Sequence, residues 1–306
     1  MIDLVLVSMP DSKVTDLEAA VKRIDSGSSI AMGLALEHAI PFAAGHELIR
    51  QGTDDLTLIG PISDLLFDQL VAADLVDSVR AAWVGNVSAG TGYNFRRAVE
   101  AGDLTVENHS NFSIALSLKA GAMGVPYLPT RSLLGSDIFE ENDQFKATED
   151  PYSGDRIALV PAIRPDWTVV HVQRASPYGD AHFWGNSGVM IEAANAADHT
   201  LVIAEDIVEP EVIKSDPSRT VITRDSVTAV TEVPCGAHPS PLAGRYNRDN
   251  DYYLDYAKRT SSQEEAASWL DEWVHGVSDR AEYMEKIDRD LGISDPTVAA
   301  EVEYGQ

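Results

Sequence analysis

Short strand patterns alternate with helical patterns along the first half of the chain, and this alternation limits the possible fold more than any other feature. The stretches SSIAMG, DLTLIG and SVRAAWVGNV are typical of strands, whereas IPFAAGHELIRQG and ISDLLFDQLVAADLV have helical spacing. Strands that alternate with helices at short intervals form βαβ units and a mainly parallel sheet. The sequence therefore predicts an α/β fold with an open, mainly parallel sheet flanked by helices.

The second half keeps this rhythm but contains more turns. RIALVPAI (156–163) and WTVVHVQRA (167–175) predict two neighbouring strands separated by the turn RPD, and HTLVIAEDIV predicts a further strand. Aromatic and charged segments then predict a helical C-terminal tail. We expect residues 1–306 to form a single domain, with a loosely held segment from about residue 290.

The acidic charge excludes several classes of partner. The chain has 49 acidic and 23 basic residues, for a formal net charge of -26. A field of that sign repels nucleic acids and anionic membranes, and no apolar run approaches the roughly 20 residues of a spanning helix. The acidic residues are dispersed, as expected for a halophilic protein in a cytoplasm of high salt, where screening is strong. We expect a cytoplasmic protein without a signal peptide.

Several familiar motifs fail on inspection. GNVSAGTG, from Gly85 to Gly92, resembles a phosphate loop but carries Thr91 where the lysine is required. It still predicts a glycine-rich turn that can approach a ligand through backbone N–H groups. WGNSGV has Val189 at the last glycine of a nucleophile elbow. The single cysteine, Cys235, and the scattered histidines predict neither a disulfide framework nor a metal site.

A polar cluster precedes the apolar helical run that starts near Phe112. Its members are Glu107, Asn108, His109, Ser110 and Asn111. Ser110 or Asn111 can cap the helix. The cluster also places a carboxylate, two amides, an imidazole and a hydroxyl at a strand end that faces a helix N-terminus. The positive end of a helix favours negative charge nearby, and a developing oxyanion is one candidate for that charge.

The chain resembles the A (α) subunit of family I CoA-transferases, in particular the glutaconate CoA-transferase branch. The resemblance covers nearly the whole chain and lies in the order and spacing of several segments. They are PFAAGHELIRQGTDDLTLIGP, NFRRAVEAG, SLKAGAMGVPYLPTRSLLGSD, WGN followed by AANAADHTLVIAEDIV, and VPCGAHPS. It implies an open α/β sheet wrapped by helices.

The resemblance also implies a reaction. In this family a glutamate attacks the thioester of an acyl-CoA, an anhydride and then an enzyme–CoA thioester form, and a second acid collects the CoA by ping-pong kinetics. In two-chain members the glutamate belongs to the B (β) subunit, whereas the α subunit carries part of the oxyanion hole and the acyl pocket. The implied partner is therefore a β subunit in an α2β2 heterotetramer. Coenzyme A is implied as the acyl-CoA substrate, with no bound cofactor and no metal.

Residue by residue, the resemblance reaches Asn111. Single-chain relatives place a glutamine amide for the oxyanion just before a helix that matches the run from Asn111 to Pro126. Asparagine is one methylene shorter but keeps the amide donor, and Phe112 replaces the family's glycine. Arg96, Arg97 and Arg131 are possible anchors for a dicarboxylate or members of structural ion pairs.

We therefore take six residues as site candidates. Asn111 and Glu107 are the catalytic candidates, and Gly33, Gly85, Asn108 and Arg131 are the candidates for contact with the substrate or CoA.

Two alternatives stay open at the level of sequence. The first is a CoA-ester hydrolase of the type that opens a sterol ring, because those relatives resemble this chain and place a carboxylate in the α subunit. Asn111 cannot act as a base, and Glu107 lies earlier, in the strand, where it can equally be a strand-end carboxylate. The second alternative is a non-catalytic subunit that binds the acyl group.

Overall fold

The computed structural model describes residues 11–288 and 290–292. Its strands are β1 Ser29–Ala31, β2 Leu56–Ile62, β3 Val76–Trp83, β4 Gly85–Asn86, β5 Gly90–Thr91, β6 Thr105–Asn108, β7 Tyr127–Thr130, β8 Lys146–Glu149, β9 Arg156–Pro161, β10 Trp167–Ala175, β11 Ala181–His182, β12 His199–Ile207, β13 Thr220–Ile222 and β14 Ala229–Glu232. Its α-helices are α1 Leu17–Val21, α2 Phe42–Gln51, α3 Asp64–Ala72, α4 Tyr93–Ala101, α5 Asn111–Met123, α6 Asp137–Glu141, α7 Met190–Ala196, α8 Pro210–Ser215, α9 Asn250–Arg259, α10 Gln263–Leu270 and α11 Arg280–Ile287. A turn of π-helix, Asp271–His275, follows α10.

The central sheet has nine strands, and its main path is parallel. The order β14-β12-β10-β1-β2-β3-β6 is parallel throughout, and β11 and β13 add antiparallel pairs beside the end of β10. Central strands such as β10 and β12 are buried on both faces, which explains their nearly continuous apolar sequences. The predicted α/β fold is confirmed. We call the edge at which the parallel strands end the carboxyl edge.

Helix boundaries follow the local signals of the sequence. The helix α2 begins after Pro41 and ends at Gly52, whose φ of +65° is the left-handed conformation common at helix ends. The expected helices around α3, α4, α5 and α7 are also present. The short helices α6 and α8 and the strand β8 are not predicted by the sequence, because each has too few residues to show a periodic pattern.

One strand prediction is wrong. The segment 156–163 does not neighbour 167–175 in the central sheet, because β9 pairs antiparallel with β7 and β8 in a separate three-stranded sheet. On one face of that sheet, Ala158 and Val160 pack against Leu133, Phe139 and Phe145. An apolar alternation identifies a strand but not its partner.

The C-terminal helices form a layer against the first half of the chain. Tyr253 and Tyr256 of α9, Trp269 of α10 and Tyr283 of α11 are buried in the same apolar cluster as residues of α2, α3 and the central sheet. The predicted helical C-terminal region is thus present. Apart from residues 290–292, the segment expected to be loosely held lies outside the described residues. In the described part of the chain, no helix is both long and apolar enough to cross a bilayer.

Candidate active site

The polar cluster lies at the carboxyl edge, where β6 passes into α5. The backbone N–H of His109 donates to the carbonyl of Ala81 at 3.1 Å, which continues the pairing of β6 with β3 beyond Asn108. Asn108 itself is exposed, and its carbonyl accepts a hydrogen bond from Asn142 Nδ2 at 2.9 Å. Ligands of parallel α/β sheets bind at this edge.

The first turn of α5 is closed by a reciprocal cap. Ser110 Oγ accepts from the N–H of Ser113 at 3.0 Å, and Ser113 Oγ accepts from the N–H of Ser110 at 2.8 Å. This capping box satisfies two backbone donors. Of the two proposed caps Ser110 is therefore the one used, and Asn111 is the first residue of the helix instead of its cap.

Asn111 faces outward from that first turn. Its side chain is exposed, and no described residue hydrogen-bonds to its amide or to the backbone N–H groups of Asn111 and Phe112. The first N–H groups of a helix have no partner within the helix, and they carry its positive end charge. Phe112 beside them is 52% exposed. The amide and these N–H groups thus have no protein partner among the described residues and lie together at this helix start.

The carboxylate of Glu107 contacts two neighbouring side chains, one through each oxygen. Its Oε2 lies 3.0 Å from Arg80 Nε, across from it in the register of β3 and β6. Its Oε1 lies 2.8 Å from His109 Nε2. Burial raises the pKa of Glu107, but the hydrogen bond from His109 and the charge of Arg80 together lower it below the usual range. Glu107 is therefore an ionised carboxylate held in a network.

The glycine-rich segment after β3 is a hairpin of β4 and β5 whose amides are already engaged. The N–H of Val87 donates to Glu37 Oε1 at 3.1 Å, and those of Ser88 and Ala89 donate to Asn86 Oδ1 at 2.8 and 3.3 Å. These amides are therefore not open to a ligand, contrary to our expectation from the sequence. Gly85 has a φ of +155°, and a Cβ there would meet Thr91 Cα at 2.8 Å. The close backbone approach is a structural reason for glycine at this position.

Two buried aspartates of α3 hold the hairpin from both ends. Asp64 Oδ1 accepts from Asn86 Nδ2 at 2.7 Å, just after Gly85. Asp68 accepts from Asn94 Nδ2 and from the N–H of Phe95, both at 2.7 Å, where α4 begins. Burial raises the pKa of Asp64 to about 7, although the hydrogen bond from Asn86 and the nearby hydroxyl of Tyr253 oppose that shift.

Gly33 brings the loops after β1 and β2 together. Its φ is +66°, and a Cβ there would lie 2.7 Å from Ser63 Oγ and 2.8 Å from Ser63 Cα. A side chain at residue 33 would push these loops apart, and this accounts for the glycine. A contact of Gly33 or Gly85 with substrate stays a prediction.

The three arginines considered as carboxylate anchors have protein contacts. Arg131 follows β7 and forms an ion pair with Asp155. Arg97 donates to the carbonyl of Ser261 at 2.7 Å. Arg96 lies over the ring of Tyr93, with 5.6 Å between the guanidinium carbon and the ring centroid. The side chain of Arg131 is 64% exposed despite its ion pair, so it is still open to solvent.

Metal-ligating side chains do not converge in the described ranges, where no group of three or more His, Cys, Asp or Glu could hold an ion. His238, another histidine of a glycine-rich segment, is buried and lies 3.0 Å from both Asp249 Oδ2 and the hydroxyl of Tyr283.

The sequence and the fold match a family of known enzymes. Residues 14–232 match the coenzyme A transferase family, and the chain belongs to that family.

Named relatives agree with this membership. The chain is 36% identical to the A (α) subunit of 3-oxoadipate CoA-transferase from Pseudomonas knackmussii, over 90% of this chain and 98% of the relative. It is 33% identical to the corresponding subunit of glutaconate CoA-transferase from Acidaminococcus fermentans, over 90% and 92%. The crystal structure of that enzyme superposes with a TM-score of 0.86, covering 90% of this chain and 93% of the other. The IpdA subunit of a cholesterol ring-cleaving hydrolase from Rhodococcus jostii is 27% identical, over 90% and 95%.

Sequence reasoning missed two partners in the site. Arg80 reads as an ordinary strand residue, and its place opposite Glu107 depends on the β3–β6 register. Asp64 lies in an apolar helical pattern, where a carboxylate in the buried stripe is itself a signal that a polar partner is needed.

Proposed function

We propose that this chain is the α subunit of an acyl-CoA:carboxylate CoA-transferase similar to glutaconate CoA-transferase. The observation that carries the proposal is the free amide of Asn111 at the first residue of α5, beside unpartnered N–H groups and exposed at the carboxyl edge. Donors that are fixed before the reaction stabilise the oxyanion of each tetrahedral step, because they need not reorganise as the charge develops.

The chain lacks a ready nucleophile among the residues that the structure describes. Glu107 is bound to Arg80 and His109. Burial raises the pKa of the Cys235 thiol, and the charge of Glu205 acts in the same direction, so the reactive thiolate is disfavoured. We therefore assign the nucleophilic glutamate to a β subunit that covers the carboxyl edge. The exposed apolar side chains of Phe112 and Val87 at this edge (Val87 is 72% exposed) support such an interface.

In the proposed reaction the β-subunit glutamate attacks the carbonyl carbon of the thioester. The carbonyl oxygen of the thioester then becomes an oxyanion. Asn111 Nδ2 donates to that oxygen, together with the first-turn N–H groups of α5. Collapse expels the CoA thiolate and leaves an acyl anhydride on the glutamate. The thiolate then attacks the glutamyl carbonyl, which gives the enzyme–CoA thioester and releases the first acid. The second acid attacks this thioester, and CoA leaves on the new acyl group by the same steps in reverse.

The test is Asn111→Ala in the purified α/β complex, assayed for CoA exchange between an acyl-CoA and a free acid. We expect turnover to fall on the order of 10²-fold, as it does when an oxyanion donor is removed. The matched control is Asn195→Ala, which removes an exposed amide from α7 and should leave turnover unchanged. A loss of less than a few-fold for Asn111→Ala would remove it from this role. If Glu107→Gln were also silent, the non-catalytic binding subunit would be the better description.

The complex itself is part of the proposal. We infer an α2β2 assembly, which native mass spectrometry of the co-expressed subunits measures directly. The α chain alone should show no transfer, and robust exchange by the isolated chain would contradict the two-chain proposal.

The second candidate is a CoA-ester hydrolase, which is favoured by a carboxylate at Glu107 and by the similarity to the IpdA subunit of the ring-cleaving hydrolase. A hydrolase releases free CoA from acyl-CoA without an acceptor acid, whereas a transferase needs the acid for turnover. Measuring thiol release with and without acceptor separates the two. The lowered pKa of Glu107 makes it a weak general base near neutral pH, so we expect thiol release to depend on the acceptor.

A further inference from the structure

His109 bridges an ion pair and the cap of α5. It is only 3% exposed, and both ring nitrogens have partners. Nε2 lies 2.8 Å from Glu107 Oε1, and Nδ1 lies 3.1 Å from Ser113 Oγ. Its ring meets that of Phe145 edge-on, with 5.3 Å between centroids. The imidazole is therefore fixed in position by packing as well as by hydrogen bonds.

The hydrogen bonds run in one direction along this chain of groups. The ionised carboxylate of Glu107 only accepts, so His109 Nε2 carries a proton and donates. When the ring is neutral, Nδ1 is then the acceptor for the single proton of the Ser113 hydroxyl, which lies 3.1 Å away. The carbonyl of Ser110, also 3.1 Å from Ser113 Oγ, is the competing acceptor for that proton. Ser113 Oγ in turn accepts from the N–H of Ser110. Hydrogen bonds connected in series polarise and strengthen one another.

This series ends at the turn that carries Asn111. Ser110 and Ser113 are the two members of the capping box, and Asn111 lies between them. Helix ends otherwise fray, and a frayed first turn would let the Asn111 amide and its neighbouring N–H groups lose their common direction. Arg80 fixes the other end of the series on β3, in the interior of the sheet.

We propose that His109 is a positioning residue: it transmits the rigidity of the Arg80–Glu107 pair through Ser113 to the first turn of α5 and so orients Asn111. The inference rests on the proposed oxyanion role of Asn111. The inference predicts that His109 contributes to turnover only through Asn111. A substitution of His109 should therefore lower kcat only when Asn111 is present, whereas a residue needed merely for stability would not show this dependence.

The experiment is a double-mutant cycle in the α/β complex, with kcat and KM for CoA transfer measured for the wild type, His109→Phe, Asn111→Ala and the double variant. Phenylalanine keeps the ring packing against Phe145 and removes both hydrogen bonds. We expect His109→Phe to lower kcat roughly tenfold with KM nearly unchanged, because lost orienting partners have effects of that size. In the Asn111→Ala background the same change should alter kcat by less than about twofold.

Two further variants separate an effect on the orientation of Asn111 from a general loss of stability. Ser113→Ala leaves the bond between His109 and Glu107 in place but cuts the series one step later, so it should lower kcat and also be silent in the Asn111→Ala background. His46→Phe is the matched control, because His46 is another buried imidazole, with Nε2 3.0 Å from Gln69 Oε1. It should change the melting temperature but leave kcat unchanged in both backgrounds.

The outcomes separate this inference from the proposed function. If Asn111→Ala has its full effect and His109→Phe or Ser113→Ala multiplies it, the positioning role is overturned while the oxyanion role stands. The positioning role is equally overturned if His109→Phe leaves kcat unchanged in the wild-type background, whatever the effect of Ser113→Ala. If Asn111→Ala is nearly silent, both proposals fail together.

Discussion

Asp64 is the residue whose environment is least like that of a free side chain. It is fully buried, its φ is +56°, and its Oδ1 accepts from the N–H of Leu65 and from Asn86. The hydroxyl of Tyr253 lies beside the same carboxyl group. Burial opposes the ionised form, so the folded chain holds a proton on Asp64 at pH values where the unfolded chain has released it.

This difference in protonation makes the stability of the folded chain depend on pH, and the sign of that dependence follows from the two pKa values. The pKa of Asp64 rises from 3.8 in the unfolded chain to about 7 in the folded one. Between these values the folded state binds more protons, so stability falls as the pH rises from about 4 to 7 and levels off above. The free energy of unfolding falls by at most about 4 kcal/mol over this range.

We therefore expect Asp64→Asn, which mimics the protonated acid, to gain melting temperature relative to the wild type at pH 8 but little at pH 5. Thermal unfolding across this pH range measures the difference, and parallel curves would contradict it. Asp68→Asn is the contrasting variant, because burial raises the pKa of Asp68 as well. Asp68 accepts from Phe95 N–H, Asn94 and Tyr256, so a new NH2 group there meets donors and should lower the melting temperature at both pH values.

At the scale of elements, α5 is held by a close crossing as well as by its cap. Ile163, just after β9, donates its N–H to the carbonyl of Ser117 at 3.0 Å. The carbonyl of Ile163 lies so near Gly121 that a Cβ there would overlap it. The helix that presents Asn111 is thereby pinned near both ends, with its start against β6 and its last turns against the segment after β9.

Gly121→Ala should therefore destabilise the chain by about 2 kcal/mol, the usual scale of overpacking, although alanine is favoured over glycine in helix interiors by about 1 kcal/mol. Denaturant unfolding measures the change. The control is Gly45→Ala in α2, where the nearest atom to a Cβ belongs to the side-chain end of Leu66 and can move. We expect a smaller effect there, and equal losses at the two sites would contradict the argument.

The elements themselves are largely predictable because their signals are local. A few adjacent residues predict a helix near Phe112 and a cap at Ser110 or Asn111, and the structure selects Ser110 as the cap. The separate sheet of β7, β8 and β9 and the pair of Arg80 with Glu107 depend on pairing between distant segments. No local pattern encodes that pairing, and this is why the network around His109 emerges only in three dimensions.

For the whole molecule, the net charge of -26 is the dominant long-range term. Dispersed carboxylates repel one another at low ionic strength, and salt shortens the range of that repulsion from about 10 Å at 0.1 M to about 3 Å at 1 M. Halophilic character stays a prediction, and it rests on this screening.

We expect the melting temperature of the complex to rise steadily between 0.1 and 2 M KCl. Differential scanning calorimetry measures the shift. A variant with amides in place of the exposed carboxylates Glu100, Asp103 and Glu264 should respond less to KCl, because fewer charges need screening. A melting temperature that is constant or falls with KCl would contradict the prediction.

The layer of C-terminal helices affects the order in which the chain can fold during synthesis. The hydroxyl of Tyr256 on α9 donates to Asp68 at 2.7 Å, and the guanidinium of Arg248 pairs with Glu37, whose carboxylate holds the Val87 amide. The hairpin beside the carboxyl edge is thus completed by residues that a ribosome delivers some 160 positions after the hairpin itself. During synthesis the parallel sheet can assemble first, but the hairpin takes its final form only when α9 emerges. The surface that we propose as the interface with the β subunit is therefore complete only in chains translated at least that far.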